Sequence, residues 1–410
     1  DRYYFGTVAD FIAAANPDTI SMLLARVRDL ESQKPEIPAL DWEDPSSKNN
    51  QCWVARTIIG EYWVAFEDGW VETGIVATIE GKNPGKKTTM LRADIDALPI
   101  TELNEVPYKS NNQGVMHACG HDVHTSSMLG AALILNDLKE EWEGTVKIIF
   151  QPGEERIPGG ANLMIQEGLF QKHPVKNILG QHVMPELPAG KVGFKKGMYM
   201  AACDELHLTV KGKGGHGALP YKTVDPIVIA SHIVLALQQI PSRKANALSP
   251  TVLTIGFIEG RGSTNVIPDE VKMMGTLRTY DEAWQKEAHA HIHKVCESIA
   301  ESMGGGCEVE VRVGYPPVNN DEALTERSYE WALDYMGAEN VIDLEMRPTG
   351  EDFSFFQREV PGCFYRLGTG NEAKGITSGI HTPQFDIDED ALKTGMGLMA
   401  YLAINELAHD

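Results

Sequence analysis

The chain has 410 residues, 42% hydrophobic and 23% charged, which is the profile of a globular protein with more than one core and excludes a disordered or fibrous chain. Lys plus Arg total 36 against 58 for Asp plus Glu, and the resulting net charge of −22 repels nucleic acid and anionic lipid alike. Cys52, Cys119, Cys203, Cys296, Cys307 and Cys363 are scattered without C-x-x-C spacing, which argues against a disulfide framework and fits a reducing, cytoplasmic setting.

The opening residues show no basic stretch followed by an apolar one, and no run of ~18 apolar residues follows, so neither a leader nor a membrane span is expected. Asn16 and Pro17 read as an N-cap with proline at the first helical position, and Ile20, Leu23, Leu24, Val27 and Leu30 continue at helical spacing. Pro and polar residues from Lys34 to Gln51 read as a linker, and residues 1–71 form a segment apart.

From residue 72 the pattern predicts strands over 74–79, 88–91, 145–150 and 177–179, with a helix over 126–138. That alternation predicts a mostly parallel α/β sheet built from residues 72–197 and 314–410. Ligands bind beyond the carboxyl ends of such strands, where this chain places Asp94, Asp96, Glu154, Glu155, Gln181 and His182. Residues 198–313 predict strand 205–211, helix 226–240, strands 252–258 and 271–278, helix 282–303 and strand 307–313. This is a β-α-β-β-α-β unit inserted into the catalytic layer.

His117 to His124 brings Cys119, His121 and Asp122 into one turn, a mixture of soft and borderline metal ligands. Taken alone, the stretch equally describes a polar helix start with a buried cysteine. Glu154–Glu155 alone equally describes an exposed acidic turn, and His182 or His381 a structural histidine. Four such segments at strand ends in one α/β chain form an S/N/O set suited to two divalent ions.

The runs Arg92 to Pro99, Met116 to Asp122, Gln151 to Glu155 and Ser378 to Pro383 resemble the aminoacylase, hippurate hydrolase and indole-acetyl-amino-acid hydrolase branch of the dinuclear metallopeptidases. The resemblance covers about residues 72–410 and implies two divalent metal ions per subunit, drawn from Mn, Zn, Co or Ni. It implies Cys119 as bridging ligand, Glu155 and His381 on one ion, His121 and His182 on the other, and Glu154 as general base. Asp96 would orient a ligating histidine, with Asp122 and His124 as further supports. In the insert, Gly214 to Pro220, Gly262 to Pro268 and Arg278 resemble the family's lid motifs. They imply that His216 and Asn265 of a dimer partner stabilise the oxyanion and that Arg278 holds the substrate carboxylate. Glu351 to Phe355 matches a further motif without an assigned role.

The implied activity is hydrolysis of the amide bond of small N-acyl amino acids by a homodimer that binds neither nucleic acid nor membrane. A metallocarboxypeptidase or dipeptidase is the rival reading, and an inactive metal-binding relative a third, opposed by the presence of Glu154 and a full ligand set. The family's initial Arg-Arg-x-x-His-x-x-Pro-Glu pattern does not occur in residues 1–71. His289, His291 and His293 are expected to be solvated, and all the cysteines but Cys119 to act as small apolar residues.

Overall fold

The computed structural model describes residues 65–409, so the predicted first helix, the linker and Cys52 lie outside the described residues. The chain enters with β1 (Ala65–Trp70), β2 (Gly74–Glu80) and β3 (Thr88–Asp94), then α1 (His121–Asp137), β4 (Thr145–Gln151), α2 (Gly160–Gln166), β5 (Asn177–Pro188) and β6 (Val192–Phe194). The second unit follows with β7 (Ala202–Lys211), α3 (Pro226–Leu237), β8 (Thr251–Glu259), β9 (Glu270–Thr279), α4 (Glu282–Ser302) and β10 (Gly306–Val313). The chain closes with α5 (Glu322–Met336), β11 (Val341–Asp343), β12 (Gly362–Gly370) and α6 (Asp390–Ala408).

In the first unit eight strands form one sheet in the order β1-β2-β4-β3-β5-β12-β6-β11. The central pairs β4–β3, β3–β5 and β5–β12 are parallel. Every residue of β12 is buried, as are six of the seven in β3. Strands covered on both faces need apolar residues at all positions, so they read as continuous runs instead of alternating ones. Helices α1 and α6 pack against each other and against this sheet through Met128, Leu129, Leu135, Leu398, Met399 and Leu402.

Two boundaries differ furthest from the sequence reading. Helix α1 begins at His121 instead of residue 126, because His121, His124 and Thr125 are buried although polar. Strand β5 continues to Pro188 instead of stopping at residue 179, and Gln181 and His182 sit buried within it. In both places functional polar residues break the apolar pattern without ending the element.

The second compact unit comprises Met198–Asn319 and Met346–Ser354. Its four strands run antiparallel in the order β8-β9-β7-β10. Leu206, Leu208 and Val210 point at period two toward α3 and α4, meeting Ile229, Ile233, Ala288, Ile292 and Cys296. Asp225 and Asp281 cap the two helices, each accepting backbone N–H groups of the first turn. The expectation of solvated histidines on α4 needs correction at His289. His289 Nε2 lies 2.5 Å from Oδ2 of the fully buried Asp204, and the His291 ring tilts against Trp284 at 6.3 Å. A buried carboxylate requires a partner, and Gln285 and His289, one helical turn apart, supply it.

Candidate metal centre

Strand register gathers the polar residues of the first unit at one sheet edge. Asp94 pairs with Gln151, and Arg92 with Gly180, so the segments after β3 and β4 and His182 on β5 arrive together. Gly120 caps α1 with φ of 78°, a left-handed conformation open to glycine, and a Cβ there would lie 2.6 Å from Val183 Cγ2. That tight entry places Cys119 and His121 on either side of the cap. His381 also has positive φ, 61°, an uncommon state for a residue with a Cβ, and its N–H donates to the Ala118 carbonyl at 2.6 Å.

Cys119 Sγ lies 3.5 Å from His182 Nε2 and 3.3 Å from His381 Nε2. His381 Nε2 is in turn 3.0 Å from Glu155 Oε1. The donor atoms of Cys119, His121 and His182 all fall within 4.8 Å of one another, as do those of Cys119, Glu155 and His381. The two trios therefore share the thiol. Glu154 joins His121 and Glu155 in a third group, with its Oε2 4.0 Å from His121 Nε2.

Hydrogen bonds outside the cluster set which imidazole nitrogen faces it. His182 Nδ1 donates to the Val183 carbonyl at 2.8 Å, and His121 Nδ1 lies 3.2 Å from Asp96 Oδ1, leaving both Nε2 atoms turned inward. Asp96 Oδ2 accepts the Glu155 backbone N–H at 2.9 Å, so one carboxylate aligns two of the clustered residues.

The electrostatics describe a hole for positive charge. Burial pushes the Cys119 thiol up to about 12, so it ionises only beside a cation. Burial alone would lower His121, yet Asp94, Cys119 and Asp96 together raise it well above the ordinary histidine range. Burial, aided by Arg366 and His124, holds His182 well below that range as a neutral imidazole. His121 Nε2 and Glu155 Oε1 are buried and make no hydrogen bond, the latter facing His381 Nε2 at 3.0 Å. Divalent cations would satisfy these orphaned atoms, and the sulfur, nitrogen and oxygen donors suit them.

Sequence reasoning placed Asp94 at a strand end but gave it no role beside Arg92 and His124. Both are fully buried, with Arg92 Nη1 2.7 Å from Asp94 Oδ2 and Arg92 Nε donating to Gln151 Oε1 at 2.8 Å. Asp94 Oδ1 forms a short contact with His124 Nδ1, and His124 Nε2 accepts the Val183 N–H at 2.9 Å. His124 is thereby engaged at both nitrogens and braces β5 beside His182. Two charged residues inside an otherwise apolar strand were the available signal. Asp122 instead turns its carboxylate to the Val123 backbone N–H at 3.0 Å.

His216, Asn265 and Arg278 all belong to the second unit. A two-residue ladder pairs His216 with Val266, which places Asn265 beside it, and Gly217 N–H donates to the Asn265 carbonyl at 2.8 Å. Arg278 lies on β9, half-buried.

Comparison with known proteins identifies the family. Residues 90–405 match the model of Peptidase family M20/M25/M40. An N-acetylcysteine deacetylase of Bacillus subtilis is 39% identical over 336 residues, covering 82% of this chain and 85% of the relative. Thermostable carboxypeptidase 2 of Saccharolobus solfataricus is 37% identical over 374 residues, covering 90% and 92%. A crystal structure of a Bacillus subtilis protein described as a dinuclear metal binding peptidase from the M20 family superposes with a TM-score of 0.77 at 34% identity, covering 95% and 98%. The fold and site thus define a metal-dependent hydrolase of amide or peptide bonds. The chain belongs to Peptidase family M20/M25/M40.

Proposed function

We propose that this protein hydrolyses the amide bond of small N-acyl amino acids with two divalent ions per subunit, of Mn, Zn, Co or Ni. The observation that carries the reading is the pair of ligand trios sharing Cys119, with Glu154 beside them. Cys119 would be shared between the ions, Glu155 and His381 would hold one, and His121 and His182 would hold the other. When bound, such a pair supplies Lewis acidity toward the amide carbonyl and toward water.

Glu154 is the proton carrier. Its carboxylate, 6% exposed, accepts a proton from the attacking water and delivers it to the leaving nitrogen. Asp96 keeps His121 aligned through Nδ1. His216 Nδ1 accepts the Ala218 N–H at 3.0 Å, which leaves Nε2–H as an outward donor for a developing oxyanion. Asn265 uses its side-chain oxygen to accept the Ser263 hydroxyl at 3.2 Å, so its amide N–H groups are available for the same task. The Arg278 side chain has no hydrogen bond or ion pair among the described residues, and a half-buried guanidinium of that kind suits the substrate carboxylate.

A homodimer through the residue 198–313 lid unit is part of this reading. β8 is an edge strand carrying Val252, Phe257 and Ile258 at 40%, 40% and 55% exposure, and α3 carries Leu235 at 73%. An apolar edge strand invites pairing with a second copy. Mixing inactive Glu154→Gln and His216→Ala chains restores activity if His216 acts across subunits, and light scattering reads the assembly directly. Among the described residues no helix is long and apolar enough to cross a membrane.

The resemblance to a carboxypeptidase favours a second reading, cleavage of a C-terminal residue from a peptide. A panel of N-acetyl, N-benzoyl and long-acyl amino acids beside unblocked dipeptides, assayed after chelation and re-addition of each metal, separates the two. Metal-restored cleavage of blocked substrates establishes the acyl-amino-acid hydrolase, and cleavage of free dipeptides alone establishes the peptidase.

A further inference from the structure

We propose that Cys296 and Cys307 form a reversible disulfide in the second unit, an oxidation site for low-molecular-weight disulfides such as oxidised glutathione. Cys296 lies on the core-facing stripe of α4 with Ala288, Ile292 and Ala300, and is fully buried. Cys307 is the second residue of β10, is half-buried, and packs against the same core. The glycine turn between them sets this meeting. Gly304 adopts a left-handed φ of 80°, and the Gly305 N–H closes back on the Ala300 carbonyl at 2.9 Å. A Cβ on Gly305 would lie 2.6 Å from the Lys211 carbonyl, so the chain passes into β10 with Cys307 opposite Val210.

The two thiols are free and share one apolar core, and they are not equivalent: Cys296 is fully buried, whereas Cys307 is half-buried and its Sγ donates to the Glu308 carbonyl at 3.7 Å. Proximity to Cys296 pulls the Cys307 thiol below its ordinary range, against the opposing effects of burial and the Glu297 and Glu308 carboxylates. Proximity to Cys307 and burial push the Cys296 thiol far up. A partly exposed thiol beside a fully buried one is the arrangement of an attacking and a resolving cysteine. Cys119, Cys203 and Cys363 are buried and face other groups.

The chemistry balances without a further reductant or oxidant. The Cys307 thiolate attacks one sulfur of the small disulfide, forming a mixed disulfide and expelling one small thiolate. Cys296 then loses its proton and attacks Cys307 Sγ, expelling the second small thiolate. Two protein thiols are oxidised and one small disulfide is reduced to two thiols. The resulting bond ties the last turns of α4 to β10.

Cys296 and Cys307 fall on one tryptic peptide, Val295 to Arg312, which makes the test direct. The reduced, metal-loaded full chain is incubated with oxidised glutathione, quenched in acid, alkylated under denaturing conditions and digested. The expected result is loss of both alkylations from that peptide, regained after dithiothreitol. In Cys296→Ser, glutathione is expected to remain attached to Cys307, and in Cys307→Ser no adduct forms on Cys296. A wild-type peptide that stays doubly alkylated after oxidant overturns the proposal, even if a variant fails to fold. A Cys296→Ser protein that folds yet takes up no glutathione overturns the assignment of Cys307 as the attacking thiol.

Discussion

Asp96 Oδ1 lies 3.2 Å from His121 Nδ1, while its other oxygen accepts the Glu155 N–H. A single carboxylate thus contacts one residue from each of the two candidate trios. Replacing Asp96 with Ala releases the His121 ring and the Glu155 backbone together, and metal affinity is expected to fall about 10–100-fold. Competition titration against a fluorescent chelator checks this, and an unchanged affinity would remove Asp96 from the positioning role.

Glu154→Gln keeps the shape of the side chain and removes its basicity. The expected outcome is a kcat lower by roughly 10²–10⁴ with metal content retained, read by elemental analysis beside turnover. Near-normal kcat would assign the proton transfer to another group.

Arg92 is a buried cation whose partner Asp94 is equally buried. Arg92→Met leaves that carboxylate without its guanidinium, and a loss of about 3–5 kcal/mol of stability is expected. Denaturant unfolding at neutral pH measures it. A double Arg92→Met, Asp94→Asn chain is expected to recover part of the loss, because the uncompensated charge is then gone.

Asp388 closes the loop that carries His381. Asn371 Nδ2 donates to its Oδ2 at 2.5 Å, Lys374 Nζ lies 2.7 Å from its Oδ1, and its N–H donates to the Thr369 carbonyl at 2.9 Å. Burial works to raise its carboxyl, but Lys374 and Asn371 outweigh it and hold the group below the ordinary aspartate range. A carboxyl lowered in the folded state contributes stability that is present above its unfolded value and lost as pH falls through the folded one. Asp388→Asn is therefore expected to unfold more readily than wild type at neutral pH, with the gap narrowing below about pH 4. Thermal melts across that range give the comparison, and a pH-independent gap would contradict it.

Much of the architecture was legible because hydrophobic period and local chemistry coincide. Leu206, Leu208 and Val210 alternate, and Ala288, Ile292, Cys296 and Ala300 recur at helical spacing, so the elements of the insert were readable with their order. The candidate site residues were legible for another reason. Cys119, His121, Glu154 and Glu155 come in short runs whose residue types are costly to bury without a partner. Ala65–Trp70 was harder to see, since an edge strand with exposed residues gives no strong period.

The sequence by itself determined the strand and helix inventory of the insert, the excess of acidic charge and the identity of the candidate ligands, because those follow from residue type and near-neighbour spacing. Tertiary structure alone decided that Asp94 is braced by Arg92 and His124, that Asp96 serves both His121 and Glu155, and that His289 answers Asp204. It also decided that Cys307 meets Cys296. Most of these pairings depend on parallel-strand register, on one left-handed glycine at a helix cap and on packing between elements far apart in the chain. Such long-range contacts leave no periodic trace in the residues that make them.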